Sequence, residues 1–119
     1  MDVRIKRAYE PPADSDGYRV LVDRLWPRGV SRDEARLDEW ARELAPSAEL
    51  RRWFGHDPAR FAEFRRRYTD ELASQPQKLR ELRKRAREGT LTLVYSARDA
   101  EHNDALVLAD VVRRGRRTR

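Results

Sequence analysis

The chain has no cysteine among its 119 residues, which removes disulfides, thiolate nucleophiles, iron–sulfur clusters and cysteine-ligated zinc together. Histidine is almost as scarce: His56 and His102 are the only two, and neither stands in an HExxH-like spacing. No built-in metal and no cofactor are therefore expected. Long apolar runs are missing as well. Nothing approaches the roughly 18 apolar residues of a membrane span, and the opening MDVRIKRAYE lacks the apolar block of a signal peptide. A cytoplasmic protein with no membrane partner is the expectation. The five glycines are scattered among turns and helix ends, with no G-x-G-x-x-G, no P-loop and no carboxylate pair at a defining spacing, so nucleotide binding by the common glycine-rich routes is not expected.

What is abundant is arginine. The formal net charge is +6, which invites a nucleic-acid reading because clustered cations neutralise phosphates and release counterions. The distribution argues against it. Arg113, Arg114, Arg116, Arg117 and Arg119 carry five positive charges in the last seven residues, and setting them aside leaves 22 basic against 21 acidic residues. Arginine outnumbers lysine 24 to 3, a bias that reflects GC-rich coding more readily than selection for bidentate phosphate forks. A chain of this length buries about two thirds of its unfolded surface, enough for one core. The sequence divides into a single domain over residues 1–112 and a basic tail, without order of its own, over 113–119.

Along the chain, Val3 to Tyr9 reads as a first strand by alternation, and Glu10 to Gly17 as a mobile loop of turn residues. Tyr18 to Leu25 is a near-continuous apolar run of the kind found in a strand covered on both faces, ending at Trp26, Pro27, Arg28 and Gly29. Ser31 and Glu34 form a capping box that starts a helix. Residues 37–45 fit either a helical spacing (Leu37, Trp40, Ala41, Leu44) or a strand alternation, and periodicity does not decide between them. Ser47 caps a short helix to Phe54, closed by Gly55. Asp57-Pro58 opens another, with Phe61, Phe64, Tyr68 and Leu72 as its apolar stripe. A further helix after Pro76 places Leu79, Leu82 and Ala86 inward and stops at Gly89. Leu91 to Ser96 is a second buried-type strand, followed by a polar loop and a helix with Ala105, Leu108, Ala109 and Val112 on its apolar face. The fold class is α/β: a small, mainly parallel sheet of three to four strands flanked by four to five helices.

Ligands in such sheets bind beyond the strand carboxyl ends. One exit offers Asp23, Arg24, Trp26 and Arg28. The other offers Tyr95, Ser96, Arg98, Asp99, Glu101, His102 and Asn103 where the last helix starts. Together they suggest a cationic cup: arginine forks match phosphate or carboxylate oxygens, and a helix amino end adds unpaired amides. A small anionic ligand (phosphate, nucleotide or carboxylate) bound by Arg24 and Arg28, with Asp23, Trp26, Tyr95, Ser96 and Asn103 completing the walls, is the first functional expectation. Were the domain an enzyme, His102 would act as general base or acid oriented by Asp99, near Ser96. A purely structural alternative stands beside it: Asp23 pairs with Arg24, Trp26 fills the core, and Asp99 or Asn103 caps the last helix. His56, in the Gly55-His56-Asp57 turn, reads as a loop residue. A functional alternative is nonspecific nucleic-acid or protein binding through the tail and through the helix over residues 77–88, with Lys78, Arg80, Arg83, Lys84, Arg85 and Arg87; a solvated helix face is the plainer explanation of those cations. Oligomeric state does not follow from the sequence.

The strings VRIKRAY, GYRVLVDRLWPRGVS, LAPSAELRRWFGHDPARFAEFRRRYTDEL and TLVYSARDAEHNDALVL resemble the bacterial family of domain of unknown function 488 (DUF488), in its YeaO-like branch, over about residues 3–112. The resemblance implies a compact α/β fold, leans residues 39–45 toward a middle strand, and offers no established activity. It implies a shared polar site containing Arg7, Tyr9, Asp23, Arg24, Trp26, Pro27, Arg28, Pro46, Ser47, Arg51, Trp53, Phe54, Asp57, Tyr95, Asp99, His102 and Asn103, without a role for each. A related branch resembles this one but carries cysteines where Tyr95 and Asn103 stand here, so thiol chemistry does not transfer. The chain is also faintly similar to rhodanese-like domains, whose sulfur transfer needs a loop cysteine that is absent.

Overall fold

The computed structural model describes residues 1–114. Its centre is a parallel four-stranded sheet in the order β1-β4-β2-β3, with β1 at Asp2–Arg7, β2 at Tyr18–Leu21, β3 at Glu39–Trp40 and β4 at Thr90–Tyr95. Five α-helices accompany it: α1 Arg32–Ala35, α2 Ala48–Phe54, α3 Phe61–Leu72, α4 Pro76–Glu88 and α5 Asp104–Arg114. The expected α/β class and parallel sheet are both present. None of these helices is long and apolar enough to cross a membrane.

Strand β4 is central, hydrogen-bonded to β1 on one side and β2 on the other. That position explains its near-continuous apolar run: Leu91 to Tyr95 are all buried, with Thr92 the one polar residue among them, as a strand covered on both faces requires. The two faces are unequal. On one, Val20, Val22, Leu91, Leu93 and Tyr95 meet the apolar stripes of α2 to α5, including Phe54, Phe64, Tyr68, Leu82 and Leu108. On the other, a small cluster of Ala8, Leu21 and Val94 is covered by Trp26, Leu37 and Trp40.

The helices follow their sequence signals closely. Ser47 accepts a hydrogen bond from the Leu50 amide and Gly55 closes α2 in the left-handed region (φ 52°). Asp57 accepts from the Ala59 amide at a turn that leads into α3. The Ser31–Glu34 capping box is formed in both directions, but α1 lasts one turn because Arg36 adopts a left-handed conformation (φ 46°).

Several expectations are corrected. Strand β2 stops at Leu21 and its ladder ends with Val22 donating to the Val94 carbonyl at 3.0 Å; Leu25, placed in the strand by its apolar neighbours, is 66% exposed. The reason is that Asp23 turns to accept from the Ser96 amide at 2.9 Å, which ends the backbone pairing. Strand β1 likewise ends at Arg7, before Tyr9. Residues 37–45 form only the two-residue β3 followed by a 3-10 turn at Arg42–Leu44, so the middle strand suggested by resemblance is a sheet edge. The Glu10 to Gly17 segment is tethered: Asp16, 6% exposed, binds Lys6 and Arg19 at 3.1 and 2.7 Å, and its carbonyl accepts from the Thr92 hydroxyl. Gly17 (φ 64°) is obligatory there, since a Cβ would lie 2.3 Å from the Thr90 carbonyl oxygen. Finally, Arg113 and Arg114, assigned to the tail, complete α5, and Arg113 donates to the Val3 carbonyl. The rest of that tail, 115–119, lies outside the described residues.

Candidate functional site

A cleft of about 420 Å³ opens at the carboxyl ends of β2 and β4. The two buried strands run side by side in the same direction, so their exits share this space as the sequence implied. The β2 exit contributes Asp23, Arg24, Trp26 and Arg28, and the β4 exit contributes Ser96 and, at the start of α5, Asn103. A third wall comes from α2 and the turn after it, with Arg51, Arg52, Phe54 and His56.

The arginines distinguish this cleft. Arg24, Arg28, Arg51 and Arg52 all line it and all are exposed. Among the described residues none of their guanidinium groups has a hydrogen bond, an ion pair or a ring partner. Many arginines elsewhere are committed, among them Arg19 to Asp16 and the Ala35 carbonyl, Arg65 to Asp110, and Arg66 and Arg67 to Glu63. The same holds for much of α4. Lys78 sits against Glu39, Glu43 and Glu81, Arg83 donates to carbonyls of α5, and Arg85 stacks on Tyr18.

The floor is acidic. Asp23 does not pair with Arg24; its Oδ2 accepts from both the amide and the hydroxyl of Ser96, at 2.9 and 2.8 Å. Asp104, at the first turn of α5, is hydrogen-bonded to Asp23 and also accepts from the Ala105 amide. Burial, the charge of Asp23 and the hydrogen bond between the two carboxyls raise the Asp104 pKa well above its ordinary value.

The amino end of α5 is satisfied from within. Asn103 Oδ1 accepts from the Leu106 amide at 2.9 Å and its Nδ2 donates to the Asp99 carbonyl. The free helix amides anticipated for an anion are thus already used, and Asn103 is the cap that the structural alternative named. Trp26 is half-buried and packs edge-on against Trp40 with ring centroids 5.4 Å apart, covering the small cluster while lining the cleft.

His102 and Asp99 do interact, Nδ1 to Oδ2 at 2.8 Å, yet neither lines the cleft. The His102 ring lies edge-on to Phe61 at 5.2 Å, turned toward α3. The Asp99 pKa is lowered by the Glu101 amide and by His102, as in a loop that is capped locally. Tyr95 is a core residue, 3% exposed, with burial pushing its hydroxyl pKa up. Ser96, Asp23, Arg24, Arg28, Trp26 and Asn103 are thus brought together; Tyr95, Asp99 and His102 are not.

Sequence reasoning missed Arg52 and Asp104, gave Tyr9 and Arg51 no role, and set His56 aside. His56 is in the left-handed region (φ 57°), one of two non-glycine residues so placed among the described residues, and such backbone is concentrated at functional sites. The dihedral of His56 is not written in its letters, so the sequence offered no signal that sets this residue apart from an ordinary loop histidine.

A sequence profile described as the inactive DUF488-N3 subclade matches residues 2–118. The uncharacterized protein YeaO of Escherichia coli (strain K12) is 48% identical over 113 residues, covering 95% of this chain and 98% of that one. The uncharacterized proteins Mb3100c of Mycobacterium bovis and Rv3073c of Mycobacterium tuberculosis are each 44% identical over 110 residues, 92% of both chains. No solved structure matches. The chain belongs to the DUF488 family, in its inactive DUF488-N3 subclade.

Proposed function

We propose that the cleft binds a small anionic ligand, a phosphate, nucleotide or carboxylate, and that the domain acts by binding rather than by catalysis. The observation that carries this reading is the gathering of Arg24, Arg28, Arg51 and Arg52 around one cavity without partners. Like charges lining one cavity repel one another, and an oxyanion relieves that repulsion while matching guanidinium geometry. The cavity volume suits a metabolite, since ligand pockets run from about 300 to 1,000 Å³. A binding role is supported by the separation of the reactive groups: Ser96 is bonded to Asp23, whereas His102 faces Phe61. The description of the matching subclade as inactive agrees with it.

The test is thermal unfolding with inorganic phosphate, pyrophosphate, AMP and citrate. A ligand that binds only the folded chain stabilises it by about 2.7 kcal/mol at a hundred times its Kd. The melting temperature should rise with ligand concentration in the wild type, and Arg24→Met and Arg51→Met should each remove most of the rise. A flat response across the panel overturns the reading.

A further inference from the structure

The acidic floor restricts what an anion in this cleft can be attached to. Asp23 is fixed by two hydrogen bonds from Ser96, and Asp104 is bonded to Asp23 and to the backbone of its own helix. Both carboxyls line the same cavity as the four unpartnered arginines. An oxyanion placed on this floor would face a carboxyl pair that already carries negative charge, and like charges at such range disfavour each other. Nor is there compensation from α5, whose first amides are used by Asn103 and Asp104. The anionic group is therefore confined to the arginine wall, and the remainder of a ligand that fills the cleft meets the two carboxyls.

What that remainder is follows from solvation. An alkyl end would strip water from the carboxyl oxygens and return no hydrogen bond, a net penalty. An amine, amidine or amino-bearing ring edge replaces the lost water with a charge-assisted hydrogen bond. We infer that the cleft selects a bipolar ligand, with an anionic group against Arg24, Arg28, Arg51 and Arg52 and a hydrogen-bond donor, best a cation, against Asp23 and Asp104. This inference rests on the anion-binding reading and narrows it to a ligand class in which phosphate or carboxylate and an amine-type group stand at opposite ends. Tyr9 and Leu25, two of the three large apolar side chains that are exposed, also line the cleft and would contact the spacer between those ends.

The experiment is isothermal titration of the full chain with matched pairs of alkyl phosphates and ω-aminoalkyl phosphates, three to six carbons long, at constant pH and ionic strength. At the length that spans the cleft, the amine should bind about tenfold tighter or more than its alkyl partner, the range of one charge-assisted hydrogen bond. In Asp23→Asn, which keeps shape and removes the carboxyl that Ser96 orients, that preference should fall below about threefold while alkyl phosphate still binds. Equal affinity within every pair for the wild type overturns the bipolar inference and leaves anion binding standing. Absence of binding by every phosphate, amine or alkyl, overturns both. A preference that persists unchanged in both Asp104→Asn and Asp23→Asn overturns the assignment of the carboxyl pair.

Discussion

Asp16 and Asp104 are carboxyls set into the fold with opposite answers to pH. Burial works to raise the Asp16 pKa, but the Ala13 amide, Lys6 and Arg19 outweigh it and the net direction is down. Its stabilisation is present above the ordinary value of 3.8 and is lost as pH falls through the lowered one. Asp104 is raised, first by burial and then by Asp23. Its contribution is full below 3.8 and declines as pH climbs from there through the raised value. Asp104→Asn should therefore melt higher than wild type at pH 7, with the gap closing as the pH approaches 4; an equal gap at both pH values refutes the raised Asp104 pKa. Asp16→Asn should cost roughly 3 to 5 kcal/mol by chemical denaturation, because Arg19, 4% exposed, would be left a buried charge with only the Ala35 carbonyl. Gly17→Ala should cost about 3 kcal/mol or more, from a strained φ and the contact with Thr90; a soluble variant with unchanged stability would contradict the close approach.

At the scale of elements, α2 links stability to the site. Ser47 caps it, and the same hydroxyl donates to Glu71 of α3 at 2.7 Å while the Ser47 amide donates to the other Glu71 oxygen. Ser47→Ala should lower stability by about 1 to 2 kcal/mol, measured in urea. It should also weaken phosphate binding, since Arg51 and Arg52 ride on this helix; unchanged affinity would show that the cap does not position them. Helix limits were legible in the sequence because caps are local chemistry: Ser47, Gly55, Asp57, Pro76 and Gly89 each act through neighbours in the chain. Strand limits were not. Leu25 continues the apolar letters of β2 but serves the cleft rim, and the chain turns at Asp23 because of Ser96, 73 residues away. Residues 37–45 stayed ambiguous for a related reason: an edge strand of two residues leaves too little alternation to detect.

Over the whole molecule, what could be read was adjacency. Two greasy segments separated by helices had to lie parallel, and their exits had to share a space. Which way a loop side chain points within that space was beyond such reasoning, so His102 was expected in the cleft and is found against Phe61. Asp104 was passed over because an acid in a first helical turn reads as an ordinary favourable contact with the dipole; only its meeting with Asp23, from the other strand exit, gives it a different character. The α2 half of the arginine wall, Arg51 and Arg52, was left without a role for the converse reason, since α2 is joined to neither strand directly and its orientation is a tertiary fact.

The brevity of β3 carries a consequence for behaviour at high concentration. Strands at the borders of a sheet are templates for foreign chains, and here one border is two residues long while the other, β1, bears Arg4, Lys6 and Arg7. Neither offers a smooth, uncharged rail for fibre growth. Concentrated native samples should stay free of thioflavin-positive assemblies, and lengthening the short border should be what first makes them polymerise.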